Sequence, residues 1–273
     1  MLKSMGILER EDLKELKEIA NSVMEKIENG DKEAGEKQLI KTAKTPNYFI
    51  REELGRLLAI YPKQKKMHYT MKKFLTHKYY GVRATAIFYF YNRYISTPEK
   101  LIKILEITYK ETPWETESVI FELWKRHSEV MKVEMLKWIE SEDSQKRAIS
   151  FHGMENIANK DPFYILDFIG KVIDDETTDV QKKITHVLTQ VARSKPAECY
   201  PYIREWLLNS NDIRYKTIWI SMKKLTNIIT QKSRREKSHE FVLLTQRTIN
   251  DWKDDSDKTV AAIGKGLAKL LRR

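Results

Sequence analysis

The chain has 273 residues, 41% of them hydrophobic and 10% aromatic, which suits one large domain or two ordinary ones and excludes wholesale disorder. Charged residues make up 33%, and no apolar run reaches the roughly 18–20 residues that a membrane-spanning helix needs. Against 39 Asp and Glu stand 50 Lys and Arg, a formal charge of +11 that points to a polyanionic partner, nucleic acid before an acidic membrane surface.

The first residues, MLKSMGILEREDLKELKEIANSV, carry no apolar signal core and read as an amphipathic helix, so a cytoplasmic or nucleoid-associated protein is expected. Apolar residues at i, i+3, i+4 and i+7 then recur through LKELKEIANSVMEKI, EKLIKILEITYK, PFYILDFIGKVI and EFVLLTQRTINDW. Short breaks such as ENGD, STPE, SEDS, DDETTD, SKPAE and NSNDI supply the Asp, Ser, Asn and Pro that start helices. With only 9 Gly and 7 Pro, the chain is predicted to be all-α with short connections.

One kind of helix recurs: NYFIREELGRLLAIY, YYGVRATAIFYFYNRY, SEDSQKRAISFHGMENIA, TTDVQKKITHVLTQVA, SNDIRYKTIWISMKKL and DSDKTVAAIGKGLAKLL. Each opens on a polar cap and a basic residue, and a second amphipathic helix lies between successive units. The basic positions are Arg51, Arg83, Arg147, Lys182, Lys216 and Lys258, and PWETESVIFELWKRH adds a unit with Glu117 in the slot. Successive slots lie 30 to 35 residues apart except the last, at 42, which contains the basic insert QKSRREKSHE, a candidate flexible loop or subdomain boundary. A period in the thirties with two helices per unit predicts an α-solenoid of about six or seven HEAT-like helix pairs, with a concave basic groove.

In that groove Arg51, Arg83, Arg147, Lys182, Lys183, Arg214, Lys216 and Lys258 would track phosphates, each contact releasing counterions. The alternative for any one slot is an ion pair with a carboxylate of the next repeat. Tyr79, Tyr80, Trp114, Tyr215 and Trp219 add aromatic surface suited to sugars and bases, whereas Trp124, Trp138, Trp206 and Trp252 sit on apolar faces and read as core. The single cysteine, Cys199, reads as a half-buried hydrophobe. No phosphate-binding glycine loop, zinc-protease helix or paired-cysteine motif occurs, the six histidines have no metal-cage spacing, and no cofactor or metal is expected.

Three stretches carry a resemblance: YYGVRATAIFYFYNRY, the PWETES turn into a helix, and KWIESEDSQKRAISF with VQKKITHVLTQVARSKPAECYPYIREW. From about Asn47 to Leu225 the chain resembles the DNA alkylation repair family, the AlkD-like alkylpurine DNA glycosylases. The resemblance implies a basic face wrapped around duplex DNA and, in active members, release of cationic N3- or N7-alkylated purines. It also implies a working cluster of two Trp, one Asp and one Arg. The first Trp falls on Trp114 and the Arg on Arg147, but the Asp falls on Ser118 and the second Trp on His186. Glu117 is a candidate displaced acid, although one helical step turns a side chain by about 100°.

A single domain over 1–273 is therefore expected: N-terminal helices in 1–46, alkylation-repair-like repeats in 47–225, and the insert with a terminal repeat in 226–273. The functional expectation is a monomer that cradles duplex, damaged or branched DNA through its backbone, with a non-standard site. The alternatives are an active glycosylase, with Trp114, Glu117, Ser118, Arg147 and His186 as its catalytic set, and a protein–protein scaffold.

Overall fold

The computed structural model describes residues 2, 5–61, 65–208, 210–231 and 239–272. Most of the insert QKSRREKSHE, residues 232–238, lies outside the described residues. No strand occurs among the described residues, and no described helix is long and apolar enough to cross a membrane.

By contacts between residues the chain divides into two compact units, Met1–Leu123 and Trp124–Arg273. The first contains α1 (Arg10–Asn29), α2 (Lys32–Ala43), α3 (Tyr48–Ile60), α4 (Lys65–Phe74), α5 (Tyr80–Tyr94) and α6 (Pro98–Thr108), and α7 (Pro113–Arg126) runs through the division. The second contains α8 (Ser128–Ile139), α9 (Ser144–Ser150), α10 (Pro162–Gly170), α11 (Thr178–Ser194) and α12 (Pro196–Leu208). It ends with α13 (Asp212–Thr230), α14 (His239–Lys253) and α15 (Lys258–Leu271).

Helix starts follow the capping chemistry. The side chains of Asp31, Asn47, Asp143, Asp161, Asn211 and Asp257 each accept a backbone N–H of their helix's first turn. Pro98 and Pro162 open α6 and α10, where a missing N–H costs nothing. The unit SEDSQKRAISFHGMENIA is not one helix. α9 ends at Ser150, Gly153 takes the left-handed conformation (φ 84°), and a short 3₁₀ turn follows at Met154–Ile157.

In the first unit α1 packs on α3 and α3 on α5, with α5 also against α4 and α6. Gly55 sets the α3–α5 distance: a Cβ there would lie 2.7 Å from the Phe88 Cβ and 2.8 Å from the Thr85 carbonyl oxygen. In the second unit, from α9 onward, each helix meets the next but one, α9–α11–α13–α15 in one layer and α10–α12–α14 in another. Trp124, Trp138 and Trp252 are buried as expected, while Trp206 is only partly covered. Cys199 is fully buried rather than half-buried, and burial pushes its thiol up.

Gly55→Ala should therefore force two backbones apart and cost about 2 kcal/mol, read as a fall in the midpoint of chemical denaturation. An unchanged midpoint would mean that α3 and α5 can separate freely.

Candidate functional site

One bond recurs at the start of the repeated helices. The side chain four residues past the N-cap turns back to the carbonyl six residues before it. Arg51 Nη1 donates to the carbonyls of Thr45 (3.2 Å) and Pro46 (2.8 Å). Arg83 Nη1 donates to His77 (2.7 Å), and Arg147 Nη1 to Ser141 (2.8 Å) and Glu142 (2.9 Å). Gln181 Nε2 makes the same bond to the Asp175 carbonyl (3.0 Å). These are irregular-backbone carbonyls with no helical partner, and the side chain satisfies them.

The arginines then reach a carboxylate further along the chain. Arg51 Nη2 pairs with Glu115 at 3.0 Å, Arg83 Nη2 with Glu111 at 3.5 Å, and Arg147 Nε with Asp175 at 2.6 Å. Arg214 forms a two-point bond with Asp174, and Arg204 with Asp255. Arg51, Arg83 and Arg147 thus pair with carboxylates later in the chain, and Arg214 with one earlier in it. Arg51 is only 6% exposed and faces inward.

The lysines behave differently because alignment on charge slipped the register. Lys182 and Lys216 lie five residues past the N-caps Thr177 and Asn211, and Lys258 lies one past Asp257. One extra step rotates a side chain by about 100°, so Lys182 and Lys216 point to water while Gln181 and Tyr215 hold the inward position. Lys258 is also exposed. Lys182 meets Asp179 at 3.0 Å on the open surface, a weak contact. Among the described residues Lys216 and Lys258 make no ion pair. Lys183 approaches His152 Nδ1 at 3.3 Å.

In the first unit the leading turns of α3, α5 and α7 converge. Glu115, fully buried, accepts from Arg51 Nη2 and from the Tyr80 hydroxyl (2.5 Å). The Tyr80 ring lies 5.6 Å from the Arg51 guanidinium and 5.8 Å from that of Arg83. Burial, with Glu115 beside it, pushes the Tyr80 phenol well up, so it stays a donor. One residue before Glu115, Trp114 is 74% exposed. One turn on lies Ser118, half-buried, and the Tyr48 phenol of α3 is raised mainly by burial. Glu117 is half-buried on the same helix.

Trp114, Glu117 and Ser118 thus belong to one cluster of the first unit. Arg147 and His186 belong to the second, where Arg147 also donates to the Thr177 hydroxyl (3.4 Å) at the start of α11, and His186 is exposed further along that helix. Sequence reasoning missed Tyr48 and Glu115, because an acid in a first helical turn reads as ordinary dipole compensation. It also missed Asp174 and Asp175, which read as turn residues. Among the described residues no group of three or more His, Cys, Asp or Glu is placed to hold a metal ion.

Two predictions follow from the arginine pairs. Arg147→Ala, which strips four acceptors, should cost about 3 kcal/mol and lower Tm. Asp175 is raised by burial but lowered more by Arg147 and the Thr177 N–H, and Asp174 and Asp255 are lowered first by hydrogen bonds from Arg214 and Arg204. Their stabilisation is complete above the unfolded-state carboxylate value and is lost as pH falls through the depressed folded values. Urea midpoints should accordingly hold down to about pH 5 and then drop, and Asp175→Asn should flatten that drop.

Two crystal structures described as engineered proteins superpose at low similarity. One has 11% identity and a TM-score of 0.30, covering 94% of this chain and 98% of its own. The other has 14% identity and a TM-score of 0.27, covering 94% and 96%. None of the curated proteins compared matches the chain. The family model described as DNA alkylation repair enzyme matches residues 50–236, a span that takes in α3 through α13 and with them Trp114, Ser118, Arg147 and His186. The chain belongs to the DNA alkylation repair enzyme family.

Proposed function

We propose that this protein binds duplex, damaged or branched DNA through its phosphate backbone, as a monomeric HEAT-like repeat protein in the cytoplasm or on the nucleoid, with a rewired catalytic site. The observation that carries the reading is Ser118. It occupies the position where the resemblance places a carboxylate, one turn beyond Trp114 on α7. A serine cannot stabilise the positive charge that develops on a sugar as its base departs, and losing such a stabiliser costs on the order of a hundredfold or more. Trp114 stays exposed and able to meet a deoxyribose. His186, exposed on α11, offers a smaller face than Trp and a phosphate contact when protonated.

The repeat reading is supported by the carbonyl bond shared by Arg51, Arg83, Arg147 and Gln181, and by the next-but-one packing of the second unit. An α-solenoid of six or seven such pairs, forming one domain, is the architecture that accounts for both. The phosphate contacts are assigned to Lys182, Lys216 and Lys258, with Lys183 beside them. Arg51, Arg83, Arg147 and Arg214 are assigned to holding the repeats together. Those same arginine pairs favour a second reading, a protein–protein scaffold, in which DNA affinity is absent.

Fluorescence anisotropy separates the readings. The wild-type chain should bind a duplex with affinity that falls steeply with salt, and Lys182→Glu with Lys216→Glu and Lys258→Glu should reduce the salt slope by about 3. Unaltered duplex binding by that triple variant sinks the assignment. On methylated duplex DNA the wild type should release little base, and Ser118→Asp should raise release by on the order of a hundredfold. Rapid release by the wild type, abolished by Glu117→Gln, would instead favour the active glycosylase.

A further inference from the structure

Between Glu53 and Glu99 the chain has no acidic residue, and this stretch of 45 residues carries nine Lys and Arg. Most of it folds as α4, the connector after it and α5. Residues Lys65, Lys66, Tyr69, Lys72 and Lys73 recur at helical spacing and are all exposed, while Met67, Thr70, Met71 and Phe74 are buried on the other side of α4.

Two exposed tyrosines punctuate it. Tyr69 is 59% exposed, with Lys32 Nζ 5.0 Å and Lys73 Nζ 5.9 Å from its ring centre. Tyr79 is 37% exposed, with Lys44 Nζ over one face of its ring at 3.5 Å and Lys78 Nζ at 5.3 Å, so a base would meet its other face. The neighbouring carboxylates are few. Glu36 takes Lys32 (3.6 Å) and the Thr70 hydroxyl, and Glu28 accepts the Met67 N–H while its carbonyl takes Lys66. Among the described residues Lys44, Lys65, Lys72, Lys73 and Lys78 make no ion pair. His77 is held below its ordinary value by burial first and then by Lys78, Lys44 and Arg83.

We propose that α4 and the connector to α5 form a platform for single-stranded nucleic acid, with Tyr69 and Tyr79 stacking on unpaired bases and the flanking lysines holding the phosphates. A ring bracketed by ammonium groups matches a nucleotide, which presents a π-face beside a negative charge. Duplex DNA hides those faces in its own stack, so the tyrosines select strands that are frayed, gapped or displaced. An anionic membrane fits less well. Exposed residues of the stretch 65–80 include no Leu, Ile, Val, Phe, Met or Trp to insert among acyl chains. The platform is independent of Lys182, Lys216 and Lys258, so it adds a second kind of strand contact to the proposed duplex contact.

The test is a labelled oligothymidylate of about 12 nucleotides, within the site sizes of such surfaces, titrated beside a duplex and beside phosphatidylserine vesicles. Tyr69→Ala with Tyr79→Ala should weaken oligothymidylate binding by about tenfold or more and leave duplex affinity within about twofold. Lys72→Glu with Lys73→Glu and Lys78→Glu should do the same more strongly, with circular dichroism unchanged. The triple reversal at Lys182, Lys216 and Lys258 should spare the oligothymidylate. If it also spares the duplex while the tyrosine variant loses the oligothymidylate, the platform stands and the proposed duplex contact does not. Wild-type affinity of the tyrosine variant for oligothymidylate overturns the platform. So does binding confined to the vesicles.

Discussion

A guanidinium that closes the gap before a helix and then grips a carboxylate downstream is the constraint on which this protein depends. Arg51, Arg83 and Arg147 each do it. Orphan carbonyls ahead of a helix start need donors, and the planar five-donor fork of arginine can serve two or three acceptors at once. Gln181 makes the carbonyl bond without the charge, which shows that the carbonyl, rather than the ion pair, is the feature common to all four positions. The pairs formed by Arg83 and Arg147 tie each helix start to a turn in the next helix pair, and Arg51 reaches still further, to Glu115.

That arrangement redistributes the chain's positive charge. Arg51, Arg83, Arg147, Arg204 and Arg214 are held in partly or fully buried pairs, where the stiffness and weak hydration of arginine suit it. The flexible, strongly hydrated ammonium groups of Lys182, Lys216 and Lys258 remain outside. Net charge alone therefore overstates how many cations are available to a polyanion. What matters is which of them are lysines on outward faces, as on α4 and at Lys216 and Lys258.

The all-helical class, the breaks and most of the tryptophan core were legible because they follow from periodicity and capping, which are local. The family was legible because its motifs are contiguous stretches of one or two helices each. Register was not. Sorting the repeats by charge placed Lys182 and Lys216 beside Arg51 and Arg147, whereas sorting by cap places Gln181 and Tyr215 there. A basic residue marks a slot only if its angular position around the helix is also matched. Glu115 escaped for a related reason, since its partners Arg51 and Tyr80 come from helices far off in sequence and no spacing rule links them.

The Arg51–Glu115 pair also shapes how this part of the molecule can change over time. Replacing either residue alone strands a desolvated charge, while replacing both by apolar side chains of similar volume leaves packing intact. Drift at these two positions, 64 residues apart, is accordingly coupled. Lineages should hold both ionic partners or neither, with Tyr80 following Glu115, because its hydroxyl has that carboxylate as its acceptor.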